Sequence, residues 1–366
     1  MKYGREILKG VEGYVPGEQP KMRNIIKLNT NENPYPPSPR VLQAVQDLST
    51  EMLRKYPDPV SLRLREAIAE YYGVAGPEWV IAGNGMDDIL AMAIRAFVDP
   101  GDDILSPYPT YTLYETLAGL HGSKMRYVDL DGEYHLPEQF YETKARMCFV
   151  PRPNAPSGVA SGLKAMERLC REFNGLVFID EAYADFADDN CLGFPRAFEN
   201  AIIGRTFSKS YALCGLRLGF AIARPEIISE LMKVKDSYNV NVVAQIGGVA
   251  ALEDREHFKG TTSKIRNNRA WLTQALRDMG FRVPESQSNF VLAHWKGTPT
   301  AKEIFEALRA RAIIVRYFNA RRLENALRIT IGSEREIEAL IDALRAILSG
   351  EPTPPSDDDA AAAVLV

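Results

Sequence analysis

The sequence predicts an α/β protein with a large lobe on a mainly parallel sheet, helices on both of its faces, and a smaller α/β lobe after it. Seven short apolar runs, at 79–82, 103–105, 125–129, 147–150, 176–180, 201–203 and 218–223, alternate with turn signals and helix-period segments. That alternation is what a parallel sheet with helical crossovers requires. After Asp236 the rhythm changes to long helices followed by a few strands. A chain of 366 residues, 46% of them hydrophobic, is also long enough for two or three lobes.

Taken in order, the first forty residues are irregular, with Pro34, Pro36, Pro37 and Pro39 opposing a helix. Helical periods are expected over 39–53 and 61–72, then over 87–97 and 163–173 between the apolar runs. Beyond Asp236, helices are expected at 241–252 and 261–279, strands near 289–293, 313–315 and 327–331, and a closing helix at 334–348. These boundaries divide the chain into an N-terminal segment (1–40), a large domain (41–240), a small domain (241–349) and a tail (350–366). The tail is rich in Pro, Asp and Ala and is expected to be disordered.

Composition narrows the function classes. A net charge of −4 and a pI near 5.8 give no broad basic field for nucleic acid or an anionic membrane. The most apolar stretch, 242–252, is too short to span a bilayer and is broken by Gln245, Gly247 and Gly248. The first residues, Met1-Lys2-Tyr3-Gly4-Arg5, lack the apolar segment expected of a secretory signal. Cys148, Cys170, Cys191 and Cys214 are scattered without CxxC spacing, as are the four histidines. They read as reduced thiols of a cytoplasmic protein, with neither a disulfide framework nor a metal site.

The chemistry concentrates at the ends of the apolar runs. Residues 204–220 place Thr206, Ser208, Lys209 and Arg217 just after one run. Hydroxyls and an arginine suit a phosphate, and a lysine among cations and apolar walls suits a nucleophile. Alone, the stretch could equally be a helix start capped by Ser208. Upstream, Leu176-Val-Phe-Ile-Asp180-Glu-Ala-Tyr183 delivers a carboxylate to the carboxyl edge of the sheet, where α/β proteins bind ligands. Earlier still, Gly83-Asn-Gly85-Met86-Asp87 forms a glycine turn whose amides could cradle a phosphate at a helix N-terminus. It matches neither the dinucleotide fingerprint nor the P-loop pattern.

In this order the segments resemble the fold-type I pyridoxal-phosphate aminotransferases, most closely the histidinol-phosphate aminotransferase branch, from about Val15 to Leu348. Seven blocks carry the resemblance: Leu28-Asn-Thr-Asn-Glu-Asn-Pro-Tyr35, Tyr56-Pro-Asp58, 83–88, Pro109-Thr-Tyr111, Asp180 to Tyr183, the lysine segment, and Leu327-Arg-Ile-Thr-Ile-Gly332. It implies a large domain with a mainly parallel seven-stranded sheet, a smaller α/β domain, and pyridoxal 5′-phosphate bound to Lys209 as a Schiff base. By the same resemblance Lys209 moves the α-proton, Asp180 pairs with the pyridine nitrogen, Tyr183 hydrogen-bonds O3′, and Tyr111 stacks on the ring. Gly85, Met86, Asp87, Thr206, Ser208 and Arg217 bind the phosphate. Tyr56 matches a tyrosine lent to the neighbouring subunit's phosphate, which implies a homodimer. Arg328 matches the clamp for the substrate α-carboxylate, Arg316 a second arginine for a substrate phosphate, and Tyr14 and Asn33 substrate contacts. One position departs from the pattern. The family's O3′-donating Asn is Ala155 here, so either Asn154 takes over the contact or Tyr183 supports O3′ alone.

The implied reaction is ping-pong transamination between an amino acid and a 2-oxo acid, with L-histidinol phosphate and 2-oxoglutarate as the favoured pair in histidine biosynthesis. An aromatic amino-acid aminotransferase and a threonine-phosphate decarboxylase share nearly all these blocks. A non-catalytic sensor domain is disfavoured, because no DNA-binding segment is expected ahead of the fold.

Overall fold

The computed structural model describes residues 3–15, 17–19 and 24–351. Of the tail expected to be disordered (350–366), residues 352–366 lie outside the described residues.

Strand β1 (Ile26–Lys27) stands apart from the main sheet. That sheet contains β2 (Val80–Gly83), β3 (Asp103–Tyr108), β4 (Lys124–Asp129), β5 (Met147–Pro151), β6 (Leu176–Asp180), β7 (Ala201–Thr206) and β8 (Gly219–Ile222). Its order is β2-β8-β7-β6-β5-β3-β4, with β8 antiparallel to both neighbours and every other pair parallel. The seven strands are the seven apolar runs. They were legible because β2, β5, β7 and β8 are buried along their whole length, so their sequences are largely apolar, with Arg205 and Thr206 at the end of β7 the exceptions. Asp180 ends β6 in register with Pro151 of β5 and Gly204 of β7, so the site residues gather at one edge.

The second core joins Leu28 to Ile265, Val291, Leu327, Ile329 and Leu340. Two small sheets belong to this unit, drawing on β1 and on β9 (Phe290–His294), β10 (Ile313–Ile314), β11 (Arg316–Tyr317) and β12 (Ala326–Thr330). β12 runs antiparallel between β11 and β9, and β10 pairs parallel with β1. Through β1 the N-terminal segment is built into this unit, and Leu28 continues it by accepting from the Thr330 amide.

Several elements differ from expectation. The helix expected over 39–53 is two, Pro39–Gln46 and Thr50–Arg54, because extended Ser49 caps the second by accepting from the Met52 amide. The helix expected from 261 begins at Arg255, capped by Asp254. The strand expected at 313–315 is the dipeptide pair β10 and β11, turning at Val315. Helices Leu113–His121, Pro225–Val234 and Ala301–Ala310 were not foreseen. Helix Val242–Glu253 packs on Pro39–Gln46 and Leu62–Tyr72, within the core of the main sheet. A boundary at residue 240 would separate that helix from its packing partners.

Candidate active site

A cavity of about 310 Å³ opens at the carboxyl edge of the main sheet, with β11, β12 and the N-terminal segment forming its far wall. Position alone makes it the ligand site expected of such a sheet.

One end of the cavity suits a phosphate. Helix Met86–Phe97 starts there behind Gly85, which has no side chain to occupy the first-turn amides of Met86 and Asp87. Only glycine serves at this position: φ is +86°, and a Cβ would lie 2.6 Å from Nη2 of Arg217. Arg217 itself adopts a left-handed backbone (φ +52°) and donates to Asp87 at 3.0 Å. Thr206 and Ser208 are buried beside it. The Ser208 amide donates to Oγ1 of Thr206 at 3.1 Å, so this hydroxyl-bearing turn is fixed from within.

At the centre lies Asp180. Its Oδ2 accepts from the Tyr114 hydroxyl at 2.7 Å and its Oδ1 from the Ala182 amide at 3.0 Å. Burial pushes its carboxyl up to about 6, against the opposing pull of those two hydrogen bonds. It forms no ion pair among the described residues, so a cation placed beside it would be stabilised. Lys209 reaches the same space. Its Nζ donates to the Thr30 carbonyl at 3.2 Å and sits 5.9 Å from the centre of the Tyr183 ring. Tyr111 lines the cavity with Tyr14 edge-on to it at 5.7 Å. Burial raises the Tyr111 phenol well above its usual range, which keeps it neutral.

The other end suits an anionic substrate. Arg316 and Arg328 face each other in register on β11 and β12, and both line the cavity. Arg328 donates through Nη2 to the Asn29 carbonyl at 2.8 Å, while its enclosed Nε has no partner. Burial lowers its pKa, since the charge has lost water and gained no counter-ion. Phe290 and Phe318 flank its guanidinium at 5.3 and 5.4 Å.

Two side chains expected at the site lie elsewhere. Asn33 does not line the cavity: its amide nitrogen is committed to the carbonyls of Lys209 and Ser210, both at 3.1 Å, so it holds the lysine turn from behind. Asn154 does not line it either. Its amide donates to Ser157 and to the Pro109 carbonyl, while Ala155 takes the cavity wall, so Asn154 does not replace the missing donor. Tyr56, expected to serve a neighbouring subunit's site and not this one, is 80% exposed, outside the cavity, and stacked on Tyr238 at 4.3 Å. Conversely, Asn31, Tyr114 and Thr330 were missed. Asn31 sits inside a block read from sequence, and Tyr114 lies one helical turn beyond Tyr111, on a helix not foreseen.

The sequence model of the class I and II aminotransferases matches residues 23–344. The chain belongs to this family. A histidinol-phosphate aminotransferase of Rippkaea orientalis is 42% identical over 345 residues, 94% of this chain and 98% of that one. One of Synechocystis sp. is 43% identical over 345 residues, 94% and 97% of the two chains. The fold is similar to the crystal structure of Sinorhizobium meliloti histidinol-phosphate aminotransferase in complex with pyridoxal-5′-phosphate (TM-score 0.83, 24% identity, 88% and 91% coverage). It is also similar to the Clostridium acetobutylicum histidinol-phosphate aminotransferase structure (TM-score 0.82, 23% identity, 88% and 99% coverage).

As an aminotransferase the protein is an enzyme, and the family implies pyridoxal phosphate as its cofactor. The residues present fit that group. A buried carboxylate without a cation suits a pyridinium nitrogen. An uncapped helix start with Arg217 and two hydroxyls suits the phosphate. A lysine amine lies between them.

Proposed function

We propose that this aminotransferase exchanges the amino group of L-histidinol phosphate with 2-oxoglutarate, giving imidazole-acetol phosphate and glutamate. The observation that carries this reading is the in-register pair of Arg316 and Arg328, with the Nε of Arg328 unpaired. Histidinol phosphate carries a phosphomonoester where an amino acid carries its α-carboxylate. The separate carboxylate and phosphate sites expected from sequence therefore become one clamp. Arg328 grips whichever anion is present, and Arg316 adds the second positive charge that a phosphate dianion needs. The 42–43% identical relatives support the same substrate.

When bound, pyridoxal phosphate supplies an electron sink for the substrate's α-carbon. Lys209 would hold the cofactor covalently, and its amine would serve as base and then acid for the substrate's α-proton. Asp180 would hold a proton on the cofactor's ring nitrogen, Tyr183 would donate to its phenolic oxygen, and Tyr111 would pack against its ring. Met86 and Asp87 (through their amides), Thr206, Ser208 and Arg217 would hold the phosphate, and Tyr14 would contact the substrate.

An amino-donor panel tests the substrate. Losing a charge-assisted contact costs about 1.5–3 kcal/mol, roughly ten- to more than a hundredfold. Arg316→Ala is expected to lower kcat/KM for histidinol phosphate by that factor and to leave phenylalanine nearly unaffected, whereas Arg328→Ala damages both. Equal losses in Arg316→Ala would remove its phosphate role. A native preference for phenylalanine would make the enzyme an aromatic aminotransferase, and carbon dioxide released from threonine phosphate would make it a decarboxylase.

The same reading includes a cytoplasmic homodimer. All four cysteines are unpaired, in keeping with a reducing compartment. Exposed Tyr56 would serve the neighbour's phosphate site. Lys209→Ala and Tyr56→Ala proteins, each impaired alone, should recover roughly a quarter of wild-type activity when mixed equally: half the dimers are mixed, and each has one intact site of two. No recovery despite demonstrated subunit exchange rejects the shared site. The domain division completes the proposal, residues 41–240 forming the large unit and 1–40 with 241–349 the small one, except that helix Val242–Glu253 packs with the large unit.

A further inference from the structure

The Tyr183 hydroxyl faces the cavity with one hydrogen-bond partner among the described residues, the side-chain amide of Asn31 at 2.9 Å. The direction of that bond follows from the donors and acceptors around Asn31. The Asn31 backbone N–H, which can only donate, gives its hydrogen bond to Oγ1 of Thr330 at 3.0 Å. The Thr330 hydroxyl proton is then left to donate to Oδ1 of Asn31 at 3.1 Å. Turning the amide round would leave the Thr330 hydroxyl proton with no acceptor among the described residues, so Nδ2 is the atom that faces Tyr183, and it donates. The Tyr183 oxygen is therefore the acceptor, and its own proton points away from Asn31, into the cavity. Asn31 is held for this purpose. It is 2% exposed, has a left-handed backbone (φ +56°), and accepts at its carbonyl from Asn289 at 3.0 Å.

Across the cavity, Ala155 has no side-chain donor and Asn154 is turned away. We infer that Asn31 and Thr330 are positioning residues that fix Tyr183 as the sole side-chain hydrogen-bond donor to the cofactor's phenolic oxygen. The inference rests on the reading that the cofactor ring lies between Asp180 and Tyr183. A donor at that oxygen favours its ionised form, so Asn31, acting through Tyr183, sets the pH at which the lysine-linked cofactor changes protonation. The titratable groups around Tyr183 are Lys209 from the lysine turn, Arg328 from β12, and Tyr111 and Tyr114 from residues 111–114. None of them is altered in the variants below.

The test is a pH titration of the visible absorption band of the pyridoxal-phosphate-loaded enzyme. Tyr183→Phe is expected to raise the midpoint by about one to two pH units, the effect of losing a hydrogen bond to a charged group. Asn31→Asp, whose carboxylate would accept the Tyr183 proton and reverse the bond, should shift it by a similar amount. Asn31→Gly, which suits the left-handed backbone, covers the case in which a buried aspartate prevents folding, and should shift it in the same direction. Thr330→Val should follow, Thr330→Ser should restore the native midpoint, and Asn31→Asp combined with Tyr183→Phe should add nothing to Tyr183→Phe alone. A shift in Tyr183→Phe with native midpoints in both Asn31 variants overturns the Asn31 inference and leaves the cofactor reading standing. A native midpoint in Tyr183→Phe overturns both.

Discussion

Lys209→Ala is expected to abolish covalent attachment of the cofactor and to slow turnover by at least roughly 10²–10⁴-fold, the range contributed by a positioned proton-transfer group. The amine reaches the cavity from a turn gripped on two sides. Asn33 accepts no proton from that turn but donates to the carbonyls of Lys209 and Ser210. From below, the Ser210 hydroxyl donates to Asp185 at 2.5 Å, and Asp185 is paired with buried Arg205. Because Gly85, Thr206, Ser208 and Arg217 are untouched, the variant should still take up pyridoxal phosphate, now released by dialysis. The wild type should be yellow, and borohydride should fix the label to the peptide containing Lys209. A label on a surface lysine, such as Lys233 with its partner Glu230 at 2.6 Å, would remove Lys209 from the centre of the site.

How well the sequence conveyed the site depended on how far each residue's role is local. Asp180 and Lys209 were legible because the first ends and the second closely follows a buried strand that opens on an apolar run, so strand and chemistry lie within one short segment. The main-sheet strands were legible for the same reason. Asn33 and Asn154 sit within recognisable blocks, yet their amides are spent on nearby carbonyls and a hydroxyl, which depends on loop backbone geometry that residue identity does not convey. Asn31 was missed because its role arises from Tyr183, 152 positions away, and Thr330, 299 positions away. The pairing of Arg316 with Arg328 depends on a two-residue strand too short to show a period. Helix Ala301–Ala310, in contrast, carried a readable signal: Thr300 and Glu303 form a capping box.

Asp180→Asn should separate catalysis from stability, moving the two in opposite directions. In the cofactor-free protein the folded-state carboxyl titrates at about 6, above its ordinary value of 3.8, because burial disfavours the charge. A group raised on folding stabilises the folded state fully below its unfolded pKa and loses that contribution as pH rises through the folded one. The ionised carboxylate therefore destabilises cofactor-free enzyme above about pH 6, by on the order of 3 kcal/mol at 1.36 kcal/mol per pKa unit. Asparagine carries no such cost. Its Oδ1 can still accept from the Ala182 amide, and its Nδ2 can donate to the Tyr114 oxygen. Cofactor-free Asp180→Asn should accordingly melt higher than wild type at pH 8, with the difference closing towards pH 4. Catalysis should go the other way. A carboxylate beside a cationic nitrogen favours the protonated ring by roughly 1–3 pKa units, so its loss should cut turnover roughly ten- to a thousandfold, and binding of the cofactor should stabilise the variant less than the wild type. Near-native turnover would remove Asp180 from the cofactor's nitrogen. A variant that melts lower than wild type at pH 8 would show instead that the carboxylate's hydrogen bonds to Tyr114 and Ala182 outweigh the cost of its burial.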